Sequence, residues 1–264
     1  MHSLSVRKLF TVYSILFLLM ASSFPLVFAR TAGDKSSELA NPFVVTRMRN
    51  SSFAGYVGTI PSGTITNITA KILVSQITCQ PALPNAQITN QVIAIYGGAS
   101  GASFAIFLTM TCEQGSSIPF FSAQASFGNY TGGTGRSLSM PKNIATNDVL
   151  VELILVNHHT NQVTFRINDL TKKDGATFST IIQGANKVNK ALFAIAGSII
   201  VVNFSTLKFS DASIVTYAGK ILSISKLSGL TLLTLVNSGG ATLARTSTLS
   251  TTGDSFRIIY VRSM

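Results

Sequence analysis

Beyond residue 42, apolar and polar side chains alternate in short runs rich in Val, Ile, Phe and Thr, and each run is closed by Gly, Asn, Ser or Pro. Alternation with period two puts successive side chains on opposite faces of a strand, so the pattern predicts β-structure with one face of each strand buried. The predicted strands are 43–48, 53–58, 65–79, 91–96, 103–112, 118–127, 149–157 and 162–167, followed by 178–183, 191–196, 199–209, 220–225, 230–237, 242–246 and 256–261.

Between these runs, Gly97-Gly98, Gly132-Gly133, Gly239-Gly240 and Gly253-Asp254 provide turn positions open to unusual backbone angles, and 157–161 reads as a polar hairpin loop. Helix signals are nearly absent. Strand follows strand too closely for the long crossovers a parallel sheet requires, so the expected fold is all-β and antiparallel, a two-sheet sandwich.

The N-terminus follows a different pattern. Arg7 and Lys8 precede an apolar stretch, Leu9 to Met20, and Val27-Phe28-Ala29 has the small-residue ending of a secretory signal. Residues 1–29 are therefore expected to be a signal peptide, cut between Ala29 and Arg30, with export to the cell exterior or cell surface. Ser22, Ser23 and Pro25 break the apolar run before it becomes a uniform membrane span, and no later run is long enough to cross a bilayer. Residues 30–41, polar and aperiodic, read as a flexible leader, and 42–264 as a single β-domain. The β-prone stretch Phe43-Val44-Val45-Thr46 at the end of that leader has two readings. It can fold back as an edge strand of its own sheet, or it can be donated to a neighbouring copy.

The net charge of +11 reflects a shortage of acids, 9 against 20 Lys and Arg, and the bases stand mostly singly along the chain. That spacing argues against a nucleic-acid stripe. A chain with few carboxylates has few ion pairs to lose in acid, which predicts acid tolerance. Cys79 and Cys112 are the only cysteines. In an oxidising compartment the expectation is one disulfide between them, with a pair of buried thiols as the alternative. Two cysteines and so few histidines offer no metal-ligand spacing, and no cofactor is expected.

Several short segments, in order, resemble the secreted glutamic peptidases, the eqolisin or scytalidoglutamic-peptidase-like family. Asn50-Ser-Ser-Phe-Ala-Gly-Tyr-Val resembles the opening of that family's mature domain, and Gln91-Val-Ile-Ala-Ile-Tyr-Gly-Gly its Trp-Val-Gly-Ile-Asp-Gly strand. Thr111-Cys112-Glu113-Gln114-Gly115, Ser122-Ala123, Ala145-Thr-Asn-Asp-Val, Ile167-Asn-Asp-Leu-Thr and Leu207-Lys-Phe-Ser-Asp-Ala resemble later pieces in the family's order. The resemblance implies the family's two-sheet, concanavalin-like jelly-roll sandwich from about Asn50 to Val261.

It also implies chemistry that the residues do not supply. Family catalysis uses a Gln and a Glu on a concave sheet, the carboxyl acting on a water and the amide holding the developing oxyanion. Aligning the segments puts Ile106 at the Gln position and Leu192 at the Glu position, and the chain has no Trp for the family's substrate cleft. The expectation is a pseudoenzyme, more non-catalytic than catalytic. The alternative is an acid-acting endopeptidase whose pair has moved, with Gln124 and Glu152 as candidates.

Other constellations are thin. His158 and His159 share the hairpin loop and suggest no serine triad, and Glu113 with Glu152 would need special geometry to act as a glycosidase pair. Asn50, Asn67, Asn129 and Asn203 each begin an N-x-Ser/Thr sequon, so glycans are expected partners. The resulting reading is a secreted or cell-surface structural or interaction glycoprotein on a glutamic-peptidase-like sandwich. It could be a filament or surface-assembly subunit that self-associates by strand exchange, without nucleic acid and without a stable membrane span.

Overall fold

The computed structural model describes residues 45–81, 86–97, 102–129, 132–140, 142–197 and 201–261. Within them the first eight strands are β1 (Thr46–Asn50), β2 (Phe53–Thr59), β3 (Ile65–Leu73), β4 (Gln87–Tyr96), β5 (Ala102–Cys112), β6 (Pro119–Asn129), β7 (Gly132–Leu138) and β8 (Val149–Asn157). The remainder are β9 (Gln162–Asp169), β10 (Asp174–Ile181), β11 (Lys190–Gly197), β12 (Thr206–Thr216), β13 (Ile221–Ser223), β14 (Ser228–Val236), β15 (Thr242–Thr246) and β16 (Phe256–Tyr260). The expected all-β class is what the chain forms.

Fourteen of the strands hydrogen-bond in one path, β10-β9-β8-β3-β12-β16-β15-β14-β2-β11-β4-β5-β6-β7, with β1 added on β14 and β13 on β12. The path doubles over, so that the half centred on β3 and β8 packs on the half centred on β4 and β5. Between them lies the main core, where Ile68, Ile72, Leu150 and Ile154 meet Ile93, Ile95, Phe104 and Ile106. Aromatic contacts join the halves. Tyr56 on β2 meets Phe256 on β16 edge-to-face at 5.0 Å, and Phe127 on β6 lies 5.9 Å from Phe165 on β9 and 5.6 Å from Phe178 on β10. Offset and edge contacts of this kind add to the area buried.

Gly55 marks where β2 passes closest to β11. Its φ of +150° is a conformation that side chains disfavour, and a Cβ there would sit 2.2 Å from the carbonyl oxygen of Phe193. Cys79 and Cys112 are bridged, with Cα atoms 5.4 Å apart, which ties the segment after β3 to the end of β5.

Several predicted boundaries shift. The strand expected over 65–79 ends at Leu73, and the one expected over 199–209 becomes β12, Thr206–Thr216, bent by a register shift between Ser210 and Ser213. Gly132-Gly133, expected as a turn, opens β7, because the partner β6 supplies the pairing that glycine's low strand propensity does not. Part of the strand expected over 220–225 is a 3-10 turn at Ile224–Lys226. Residues 1–44, including the signal and leader expectations, Ala29, Arg30, Phe43 and Val44, lie outside the described residues. Val45 precedes β1, and Thr46 begins it, paired in parallel with Thr231 on β14 of the same chain.

Candidate functional site

The half built on β14, β2, β11, β4, β5 and β6 has a second apolar face, turned away from the main core. Directly paired residues share a face, so its rows can be followed across the strands. One row runs Val57, Leu192, Ala94, Ala105, Ser126, and the next Gly55, Ala194, Val92, Phe107, Gln124. Phe53, Val92, Ala94, Ala105, Phe107 and Leu192 belong to one apolar cluster. The sequence leads here directly: in β4 the even positions carry Val92 and Ala94, while the odd positions carry Gln91, Ile93 and Ile95 toward the other side.

The two positions aligned with the family's catalytic pair fall on opposite faces. Leu192 lies in the second apolar cluster, whereas Ile106 is fully buried in the main core. A shift of one residue to Ala105 or Phe107 reaches Leu192's face and still finds no amide or acid. Gln124 is on that face beside Phe107, half-buried.

Glu152 does not join Gln124. It projects from β8 into the main core, completely buried, with Ala70 and Ile167 as its strand partners. There the amide Nε2 of Gln91, also completely buried, donates to its Oε2 at 3.0 Å. The other oxygens, Gln91 Oε1 and Glu152 Oε1, have no hydrogen-bond partner. Burial pushes the Glu152 carboxyl up from 4.5 to about 8, and the Gln91 hydrogen bond pulls less strongly the other way. With the carboxylate ionised, Gln91 Oε1 and Glu152 Oε1 would both stay unsatisfied. A protonated one carries an O–H that Gln91 Oε1 can accept, and acid and amide can then close a two-bond ring.

This pair is hidden from the sequence because Gln91 and Glu152 lie on strands separated by most of the sheet path. A Gln within an apolar alternation, at an odd-numbered position of β4, signals its amide half, as Glu152 within the apolar β8 signals its acid.

The remaining candidates are held structurally. His158 lies against the ring of Tyr217, 4.9 Å between centroids, with its Nε2 3.0 Å from the carbonyl of Ile65 and its Nδ1 3.3 Å from Thr64 Oγ1. His159 lies 6.4 Å from the same tyrosine ring. Glu113 is exposed in the turn after β5, far from the buried setting of Glu152. Asp148, buried, accepts from Lys172 Nζ at 2.5 Å, and Asp169 lies 3.9 Å from the same ammonium. No group of three His, Cys, Asp or Glu that could hold a metal occurs among the described residues.

The sequons have different settings. Asn50 is buried and its Oδ1 accepts from the amides of Ser52 and Phe53, both at 2.8 Å. Asn67 lies in β3, Asn129 closes β6, and Asn203 is outside any strand, joined to Thr78 by an isolated bridge.

Solved structures of glutamic peptidases share this fold of long antiparallel strands. Scytalido-glutamic peptidase, solved with a peptide-based transition-state analogue, matches with a TM-score of 0.60 at 13% identity, covering 80% of this chain and 98% of that one. SCP-B, a member of the Eqolisin family solved with the tripeptide Ala-Ile-His, gives 0.58 at 12% identity, over 80% and 98%. Aspergilloglutamic peptidase from Aspergillus niger gives 0.50 at 17% identity, over 66% and 99%. No protein-family model and no curated protein matches the sequence. Likeness at this identity shows a shared fold and leaves function to the residues.

Proposed function

We propose that the protein is a secreted or cell-surface structural or interaction protein that uses the glutamic-peptidase fold without peptidase chemistry. One observation carries the reading: the face that holds Leu192 is lined by Val92, Ala94, Ala105 and Phe107, and the chain's Gln–Glu pair is sealed between the halves of the sandwich. A general acid must reach substrate or a water beside it, and a fully buried carboxyl held by one amide reaches neither. Gln124 and Glu152, the candidates for the acid-endopeptidase alternative, do not meet: Gln124 lies on the second apolar face and Glu152 in the main core with Gln91.

Export is supported by the basic-apolar-small pattern of residues 1–29. No helix among the described residues is long and apolar enough to cross a membrane. Self-association through the N-terminal strand draws on the exposure of Thr46, Arg47, Met48 and Arg49 in β1, and would exchange the pairing that β1 makes with β14 of its own chain. A glycan at Asn129, where β6 ends, fits the surface of such a protein.

The experiment is expression in a secreting host, with the N-terminal residue determined and the size distribution measured by light-scattering chromatography. The reading expects protein in the medium beginning at Arg30, and assemblies that disappear when residues 30–49 are deleted. Protein retained in the cell would overturn export, and monomers with or without the segment would overturn strand exchange.

A further inference from the structure

The outward face of the β3 half is unlike a solvated sheet surface. Antiparallel sheets that face water on one side ordinarily alternate apolar-in with polar-out. Here Leu73, Leu155, Ile221 and Ile259 are exposed by 44%, 39%, 71% and 44%, and strand pairing places all four on that same face. Leu73 is opposite Lys208, which is opposite Arg257. Ile259, two residues beyond Arg257, is opposite Arg245. In the other direction β3 carries Lys71 and Asn67 on this face, and Asn67 lines up with Leu155 on one side and Val215 and Ile221 on the other. From Asn67 to Leu73 the face extends roughly 20 Å along the strands.

Its charge is mostly positive. Strands β3, β12, β15 and β16 carry four cations, Lys71, Lys208, Arg245 and Arg257, against one acid, Asp211 in the bulge of β12. The ion pairs among the described residues centre on Lys172, and none involves these four. Lys208 and Arg257 face each other directly across neighbouring strands, a like-charge pairing that disfavours the free sheet. An anionic partner removes that cost. The sequence scatters these bases singly, and the sheet gathers them.

We propose that this face docks on an anionic lipid surface, the cations meeting headgroups while Leu73, Ile259 and their neighbours enter the boundary beneath. Three features select that occupant. Exposed aliphatic side chains interleaved with Lys and Arg form the pattern of interfacial membrane binding. The four named apolar residues are aliphatic rather than the aromatic platforms on which bases stack. A second copy of the chain would bring cations against cations.

The test is co-sedimentation of the full chain, produced without glycans, with vesicles of phosphatidylglycerol or of phosphatidylcholine, and in parallel with soluble polyphosphate. The double variant Lys208→Glu/Arg257→Glu and the double variant Leu73→Ser/Ile259→Ser share the N-terminal segment with the parent, so its own contribution cancels. The expected result is binding to phosphatidylglycerol vesicles at least about tenfold stronger than to phosphatidylcholine, weakened at least about tenfold by the charge reversals and by high salt, and weakened again by the serine pair. Absence of binding, or binding indifferent to the charge reversals, would overturn the proposal. Binding to polyphosphate and vesicles alike, unaffected by the serine pair, would overturn it in favour of a soluble polyanion. Circular dichroism of each variant verifies that the strands are intact.

Discussion

Gln91 on β4 donates to Glu152 on β8 at 3.0 Å, and neither side chain has any exposure to solvent. An amide and an acid, the residue types with which the fold's peptidases work, thus meet in the layer where no substrate can enter. The consequence is a proton held within the sandwich at neutral pH.

Stability should therefore depend on pH with a definite sign. Below about 4.5 the carboxyl is protonated in folded and unfolded chains alike, and its contribution to stability is fully present. As pH rises the unfolded chain ionises first, and stability is lost progressively until the folded carboxyl ionises near 8, by up to about 5 kcal/mol. Urea unfolding from pH 4 to pH 9 measures this. Glu152→Gln, close in shape to the neutral acid, should flatten the dependence and be more stable than the parent at pH 9.

Gln91→Leu removes the donor and leaves Glu152 with no partner. The expected loss is about 1–3 kcal/mol at pH 5, with a larger loss at pH 9, above the parent's folded pKa of about 8, because the hydrogen bond that lowers the carboxyl's pKa is gone. Denaturant titration at the two pH values gives both numbers.

Much of the fold was legible in the sequence, and the exceptions have physical reasons. β8 runs where the sequence puts it, Val149–Asn157, because seven of its nine residues are Val, Leu or Ile, and β15, Thr242–Thr246, follows the expected turn at Gly239-Gly240. β7 is not legible because glycine and arginine carry no alternation, and its register is set by β6. The pair at Gln91 and Glu152 is only half visible. Glu152 is a candidate on the sequence alone, but its partner is chosen by the doubling of the sheet, which strand patterns do not encode.

Gly55→Ala should be severely destabilising, by about 3 kcal/mol or more, since its Cβ would meet the Phe193 carbonyl at 2.2 Å and its φ of +150° disfavours a side chain. Thermal unfolding beside Gly63→Ala provides the comparison. A Cβ at Gly63 would meet nothing within 4 Å, so the cost there is limited to the backbone angle.

The bridge between Cys79 and Cys112 closes a loop with a sequence separation of 33. Replacing both cysteines with alanine should lower stability by roughly 3–4 kcal/mol, and the parent should lose a similar amount on reduction. Denaturant unfolding with and without reductant separates the two.

The central claim is that the fold has been kept without its chemistry, and the direct measurement is hydrolysis of an unfolded protein at pH 3 by the parent chain and by Glu152→Gln. The account predicts no turnover by either, with both chains folded by circular dichroism under the assay conditions. Turnover by the parent that disappears in the folded Glu152→Gln chain would contradict it and make the buried pair a catalytic one.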